Sequence, residues 1–432
     1  MAKKKAEAAT AEKPMPKKKA DNAPSRNDRA AALMADVNKK SRGRAALMPA
    51  SEYVLPYLTK RLPTGILTLD LTLKGGFPAG GVSQVIGRRN AGKTLMMWLV
   101  VRQLQHLLGD DMKVLLAMTE LQADRGQARS LGVKISMGHE YVESTDRARK
   151  AAGWTSLSKE EKTDLLTEIG TIHELHAMAA EDFYDVILRA IEENIYHLVV
   201  IDSIGNVLSA AEQENDSVHD KTYGGAAAPN TTFLKKLTNL LTMKNEWGQT
   251  RDTCVIGINQ VRDNIKDPNK AYKSPGGNAL EHAKLVDIWV ESGKMLGGDV
   301  PVYTPEGWKQ KFIPTGKEVH WRIEKGKAGM HEGEKGTYVF DFAFSNVDFY
   351  MDTLIAGVTN GVIEQAGGWL GILDPNEQGK YLFRVNGRDA FLAALKQDAV
   401  DKAAANDPNS MMNYIRDACF KKAGINIDYD WE

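Results

Sequence analysis

The stretch VSQVIGRRNAGKTLMMWLVV, Val82 to Val101, constrains the fold more than any other part of this chain. Gly87 to Thr94 spell G-x-x-x-x-G-K-[ST], directly after an apolar run with strand character and directly before a run with helix character. A strand must end, the chain must reverse tightly, and a helix must start, all within a few residues. That demand is met by the strand–loop–helix unit of α/β proteins. The glycines let backbone N–H groups turn inward on phosphate oxygens, so Gly87, Asn90, Ala91 and Gly92 form the wall of a phosphate cradle. Lys93 is placed to reach the β and γ phosphates, and Thr94 offers a hydroxyl to Mg²⁺. The bland alternative, a glycine-rich turn without a ligand, does not explain the flanking strand and helix. A nucleoside triphosphate and Mg²⁺ are the expected ligands.

The same alternation continues around this unit. KVLLAM, YHLVVI, TCVIGI, LVDIWV and VHWRI are short apolar runs separated by helical stretches. Strands apolar on both faces predict an α/β core with a largely parallel, twisted sheet covered on both sides. The expected divisions are a disordered basic tail over 1–26, a helix and linker over 27–61, the ATPase-like core over 62–336 and a small α/β domain over 337–432. The tail is rich in Ala, Lys and Pro and has too little apolar surface to offset its ordering entropy. A helix starting at Ser25 or Asn27 is marginal alone and is expected to dock on something. Ser158 and Glu161 have the spacing of a capping box. The formal net charge is zero, so any basic site is local. Two cysteines exclude a disulfide scaffold and a four-cysteine zinc site, and Cys254 reads as a small core residue. No apolar stretch is long enough for a membrane span, and the N-terminal segment lacks the apolar core of a secretory signal. A cytoplasmic location is expected.

Three strand ends carry polar residues that suit a triphosphatase. Asp202 ends LVVID and is expected at the carboxyl edge of the sheet, where open α/β folds bind ligands; it suits a Mg²⁺ contact. Glu120 follows KVLLAMT and is placed to orient or deprotonate an attacking water. Gln260 ends TCVIGINQ, with a side-chain amide able to donate to a γ-phosphate. The chain then enters VRDNIKDPNKAYKSPGG, read as a long basic loop that builds no regular element. Joined to Gln260 without slack, it reads as a switch segment ordered by triphosphate. Its Arg262, Lys266, Lys270 and Lys273 suit a phosphate backbone, Gly276 and Gly277 permit close main-chain approach, and Ile265 suits a wedge between bases. The competing reading is a surface loop with ordinary charges.

Taken together, these residues resemble the RecA-type bacterial recombinases. The likeness extends through PTGILTLDLTLKGGFPAGGVSQVIG, TELQADRGQARSLGV, VVIDSIGNVL, INQVR, GGNAL and FYMDTLIAGVTNGVIEQAGGWL, covering about residues 28–395 with gaps. The resemblance implies an ATP-dependent homo-oligomeric helical filament on single-stranded DNA, which pairs it with homologous double-stranded DNA and exchanges strands. It further implies that Glu120 is the catalytic glutamate and Gln260 the γ-phosphate switch. Lys325 and Lys327 match paired lysines that reach ATP across the subunit interface, and Asp124 matches a nucleotide-site residue. Residues 212–230, with Tyr223, resemble the first DNA loop. Lys235 matches a DNA-contacting arginine, and the segment from Arg262 to Asn278 resembles the second loop. The N-terminal helix is implied to build the filament.

The chain also departs from the family. Residues 139–172 and the stretch MLGGDVPVYTPEGWKQKF are additions, Gln127 replaces an adenine-stacking tyrosine, His282 replaces an aromatic after GGNAL, and the acidic tail shrinks to DYDWE. Such divergence looks like that of a phage-encoded or accessory relative. The same core also suits two other readings: a ring-forming helicase or motor, and an ATP-gated scaffold that coats DNA without strand exchange.

Overall fold

The structure is a computed structural model that describes residues 25–41, 47, 50, 54–119, 124–177, 179–204, 227–244, 249–263, 272–273 and 277–426. At Arg262, Asp263, Tyr272, Lys273, Gly277 and Asn278 it describes the backbone alone. The chain forms two units, Met1–Tyr53 and Val54–Glu432.

In the first unit, Arg26–Ser41 is a helix. Ser25 starts it: the Asp28 N–H donates to Ser25 Oγ at 3.1 Å while Asp28 Oδ2 accepts the Ser25 N–H at 3.0 Å. This reciprocal pair satisfies two donors that the helix itself leaves open. Near its other end, Asn38 exchanges two hydrogen bonds with the backbone of Leu47, at 2.9 and 3.0 Å.

The second unit is built on a nine-stranded sheet. Its strands in chain order are β1 Val82–Gly87, β2 Lys113–Met118, β3 Thr171–Leu175, β4 Leu198–Asp202 and β5 Cys254–Gln260, followed by β6 Lys284–Thr304, β7 Gly307–Gly326, β8 Lys335–Asp341 and β9 Asn346–Val347. The spatial order is β9-β8-β7-β6-β1-β5-β4-β2-β3. All pairings from β6 across to β3 are parallel, and β7, β8 and β9 extend the sheet in antiparallel fashion. The strands are apolar on both faces because both faces are covered. On one side the helix Lys93–Leu108 buries Met96, Trp98 and Leu99 with Val85, Leu116 and Ile256. On the other, the helices Ala180–Glu192 and Ala227–Thr242 bury Phe183, Phe233 and Leu237 with Val199 and Val255. Tyr184 stacks on Phe233 with ring centroids 4.3 Å apart. Cys254 is fully buried on the side covered by the helix Lys93–Leu108.

Three features differ from, or sharpen, the sequence reading. The main sheet continues past Gly336, because Lys335–Asp341 pairs with β7 from Gly316 to Arg322. The added segment 139–172 forms the helices His139–Ala151 and Lys159–Leu166 and leads into the edge strand β3. Its capping box at Ser158 and Glu161 is present. Asp146 pins the two helices together, accepting from Ser156 Oγ and the Leu157 N–H at 2.7 Å and from Lys162 Nζ at 2.9 Å. The Ser156 hydroxyl and Lys162 hold its carboxyl well below the usual range. Finally, the stretch around MLGGDVPVYTPEGWKQKF is the outer part of a long hairpin made by β6 and β7.

The last part of the chain has its own core. The strands β10 Ile363–Ala366, β11 Trp369–Leu373 and β12 Tyr381–Asn386 form an antiparallel sheet, packed with the helices Phe349–Thr359, Arg388–Ala404 and Met411–Lys422. Leu67 and Leu71 of the helix Leu67–Thr72 join that core. Asp352 fixes the join: fully buried, it accepts the Leu67 N–H and the Thr68 hydroxyl, each at 2.5 Å, at the open N-terminus of that helix. Asp352→Ala leaves these buried donors without an acceptor and is expected to lower unfolding stability by about 1–3 kcal/mol, with Asp352→Asn less harmful. Urea unfolding of the two variants checks this; equal stability to wild type contradicts it.

Candidate functional site

The site begins with the turn between β1 and the helix Lys93–Leu108. β1 is buried along its whole length, and the turn Arg88–Gly92 follows it with Asn90 and Gly92 at positive φ, 61° and 101°. Gly92 precedes the first helical residue in the left-handed region, which explains why glycine stands there. Alternating positive and negative φ turns successive N–H groups to one side and makes an anion-binding concavity at a helix N-terminus. The buried Tyr338 hydroxyl, which has no hydrogen-bond partner among the described residues, lies 3.4 Å from where a Cβ on Gly92 would stand. Lys93 is buried and its Nζ donates to the carbonyls of Gly87 at 3.1 Å and Arg88 at 2.7 Å. The ammonium is therefore held inside the turn. Thr94 is the second residue of the helix and half-buried.

Sheet register brings the other strand ends to this turn. Gly87 lies opposite Gln260 of β5 on one side and Val290 of β6 on the other. The Val261 N–H donates to the Gly87 carbonyl at 3.4 Å, so Lys93 and the residue after Gln260 share one acceptor. Asp202 lies opposite Ile258 of β5 and Met118 of β2. Thr119 ties that edge together: its N–H donates to the Asp202 carbonyl at 2.8 Å, and its hydroxyl accepts the Ser203 N–H at 3.0 Å. Gln260 and Asp202 are both half-buried. Gly87, Asn90, Ala91, Gly92, Lys93, Thr94, Asp202 and Gln260 thus belong to one sheet edge. One hydroxyl and one carboxylate beside a phosphate cradle suit Mg²⁺, which keeps several waters and takes few protein ligands.

Other expected residues stand elsewhere or have further partners. Asp124 is exposed and caps the helix Arg125–Ser130, accepting the Gln127 N–H at 2.9 Å. Lys235 is exposed on the helix Ala227–Thr242. Lys325, near the end of β7, donates to the Glu281 carbonyl; burial, then Lys327 and Lys284, push its ammonium below the ordinary lysine range. Lys327 follows the strand and is exposed, its N–H donating to the Leu285 carbonyl at 3.0 Å. Glu120, Tyr223, Ile265, Lys266 and Gly276 lie outside the described residues, as do the side chains of Arg262, Lys273 and Asn278, while Gly277 opens the helix Gly277–Ala283.

The segment after Gln260 corrects one expectation. It does build a regular element: Arg262–Asp263 pairs antiparallel with Tyr272–Lys273, Arg262 facing Lys273. The chain leaves the sheet at Gln260 and returns to the helix Gly277–Ala283, and pairing its two stems gives their backbone groups partners.

Sequence reasoning missed a buried ionic cluster toward the amino ends of β1 and β6. Lys284, 1% exposed, donates to Glu281 at 2.7 Å, to Gln84 Oε1 at 3.2 Å and to Asp287. Burial raises the Asp287 carboxyl, against the opposing pull of Lys284. The cluster joins β1, β6 and the helix Gly277–Ala283, and through Glu281 it touches Lys325. A lysine between the apolar residues of LVDIWV and a helix could have been noticed only by asking which acids lie three residues away on each side. A cleft of about 690 Å³ opens beside the phosphate loop, lined by Arg88, Val261, Trp289, His320, Arg322 and Lys335 among others.

Comparison with known proteins agrees with this architecture. No family model matches the chain. It is 27% identical over 344 residues to Protein RecA of Citrifermentans bemidjiense, covering 77% of this chain and 81% of that protein. It is 26% identical to Protein RecA of Geobacter sulfurreducens and 28% identical to Protein RecA of Thermus aquaticus, with the same 77% and 81% shares.

Removing one partner of a buried ion pair is costly because the other charge stays buried and unpaired. Lys284→Met is expected to lower stability by about 3–5 kcal/mol, and adding Asp287→Leu to recover much of it. Denaturant unfolding of the single and double variants checks this; a single variant within error of wild type contradicts the structural role of the cluster.

Proposed function

We propose that this chain, a divergent relative of the RecA-type recombinases, is an ATP-dependent DNA recombinase. In this reading it assembles as a helical filament on single-stranded DNA, pairs that strand with homologous duplex and exchanges strands, hydrolysing ATP when DNA is bound. The observation that carries the reading is the shared Gly87 carbonyl, which accepts from both Lys93 Nζ and the Val261 N–H. A phosphate loop by itself is common to many motors. A phosphate-loop lysine coupled within one peptide carbonyl to the strand end that feeds a basic segment is the arrangement a nucleotide-gated DNA grip requires.

Each residue then has a role. The N–H groups around Asn90, Ala91 and Gly92 bind phosphate oxygens, and Lys93 turns from the carbonyls of Gly87 and Arg88 to the triphosphate. Thr94 and Asp202 hold Mg²⁺, which when bound neutralises charge on the phosphates. Asp124 contacts the nucleoside. Glu120 orients and deprotonates water, and Lys325 and Lys327 of one protomer stabilise charge at a neighbour's nucleotide. Gln260 senses the γ-phosphate and sets the segment beyond it. Arg262, Lys266 and Lys273 hold DNA phosphates, Ile265 separates bases, and Gly276, Gly277 and Asn278 bring main chain to the backbone, with Tyr223 and Lys235 on the other loop. The helix Arg26–Ser41 mediates assembly, and the part built on β10, β11 and β12 with its helices acts as a small domain packed on Leu67 and Leu71.

Lys93→Ala is expected to abolish ATP binding and reduce turnover by about 100-fold or more, since one preorganised donor to developing charge contributes that much. Glu120→Gln is expected to keep ATP and DNA bound while turnover falls by at least about 100-fold. Single-turnover hydrolysis with filter binding measures both, and normal turnover in either variant removes that residue from its role. Strand exchange with matched and unmatched duplex tests the function itself. Joint molecules should form with matched duplex only. Their absence despite DNA-stimulated turnover leaves a coating protein, and closed rings in micrographs with ATP analogue and single strands leave a helicase-like motor.

A further inference from the structure

The hairpin of β6 and β7 is far longer than the sheet needs. β6 runs beside β1 only as far as Val290, and β7 runs beside β8 only down to Gly316. Beyond these points the two strands pair with each other alone, in unbroken register from Gly297 opposite Pro314 to Thr304 opposite Gly307. At about 3.4 Å per residue this ribbon projects roughly 25 Å from the body of the sheet. Because β6 is parallel to β1, the ribbon leaves from the edge that carries the phosphate loop. Its base is bonded to that loop: Ser292 Oγ and Lys317 Nζ both donate to the Asn90 carbonyl at 3.1 Å.

The outer ribbon presents two different faces. Residues directly opposite share a face, and faces alternate along the strands. Tyr303 with Trp308, and Phe312 opposite Asp299, lie on one face. Val302 with Lys309, and Val300 with Lys311, lie on the other. Tyr303 is 69% exposed and Trp308 72% exposed, their rings edge to face at 5.5 Å. Lys309 pairs with Glu306 in the turn, an exposed pair weak enough for a phosphate to displace. Pro301 and Pro314 interrupt the ribbon's hydrogen-bonding edges, which disfavours addition of another strand from a second protein copy. Exposed rings on one face backed by lysines on the other are instead the groups that hold a single nucleic-acid strand wrapped over the edge of so narrow a ribbon, with bases stacked on the rings and phosphates held by the cations.

We propose that this ribbon is a DNA-binding arm that takes single-stranded DNA, stacking bases on Tyr303 and Trp308 and holding phosphates with Lys309 and Lys311. The proposal rests on the DNA-binding reading above and adds a contact outside its two loops. The test uses the full chain with a non-hydrolysable ATP analogue, a fluorescent oligo(dT) strand and a blunt duplex of the same length, read by anisotropy across a salt series. The variants are Tyr303→Ala/Trp308→Ala and Lys309→Ala/Lys311→Ala. DNA-free ATP turnover and melting temperature should match wild type, since these side chains are exposed. The aromatic variant is expected to bind oligo(dT) at least about 30-fold more weakly, the lower end for two lost base stacks. The lysine variant should flatten the slope of log K against log[salt] by about 1.4, the value for two lost phosphate contacts on a single strand. Ultraviolet crosslinking of bromodeoxyuridine DNA should mark the peptide carrying Trp308.

Wild-type affinity and slope in both variants overturn the arm while leaving the DNA reading intact. So does an effect confined to the duplex, or normal DNA binding with smaller assemblies, which assigns the ribbon to a second copy. A wild-type chain that ignores oligo(dT) overturns the DNA reading and the arm together.

Discussion

The carbonyl oxygen of Gly87 is the atom on which the site depends. It accepts from Lys93 Nζ at 3.1 Å and from the Val261 N–H at 3.4 Å. That double use is possible only because β1 and β5 are parallel neighbours in a register that sets Gly87 opposite Gln260. A slip of one residue would turn Gln260 to the other face and move Val261 out of reach. The packing on both faces of the sheet fixes that register, with Trp98 and Met96 on one side and Phe183 and Phe233 on the other. Core packing therefore specifies the chemistry of the edge.

The far side of β1 is fixed by ionic rather than apolar contacts. Lys284 sits between Gln84 of β1, Asp287 of β6 and Glu281 of the helix Gly277–Ala283. A charge so fully removed from water is tolerated only with several oxygen partners. The consequence is positional: the helix reached after the basic segment cannot shift without disturbing the strand that carries the phosphate loop. The Asn90 carbonyl makes a comparable link on the outside, to Ser292 and Lys317 at the base of the long hairpin. Both segments proposed to meet DNA are thus anchored on the strand and turn that would hold ATP.

Where sequence was legible, the signal was local. The phosphate loop needs particular residues at particular spacing, and strands apolar on both faces announce a covered parallel sheet. Ser158 with Glu161 and Ser25 with Asp28 cap helices that could be read from a few neighbouring residues. The illegible parts depend on partners far along the chain or on exposure. Lys284 reads as an ordinary surface cation until Gln84, distant in sequence, is placed beside it. The outer hairpin carries Gly297, Gly298, Pro301, Pro305 and Pro314, residues that normally punctuate loops, and it buries no face to impose alternation. The short ladder of Arg262–Asp263 with Tyr272–Lys273 is set by where the chain must leave and re-enter the edge, which residue types do not encode.

In the proposed mechanism, an occupied triphosphate pocket changes the grip of the segment beyond Gln260 on DNA. Equilibrium binding of a labelled single strand, measured at one salt concentration with and without a non-hydrolysable ATP analogue, tests it most directly. Binding with the analogue is expected to be tighter by at least about ten-fold, inside the range of ordinary allosteric coupling, and Gln260→Ala should remove the difference while leaving nucleotide affinity largely intact. Equal affinity in the two conditions would contradict it.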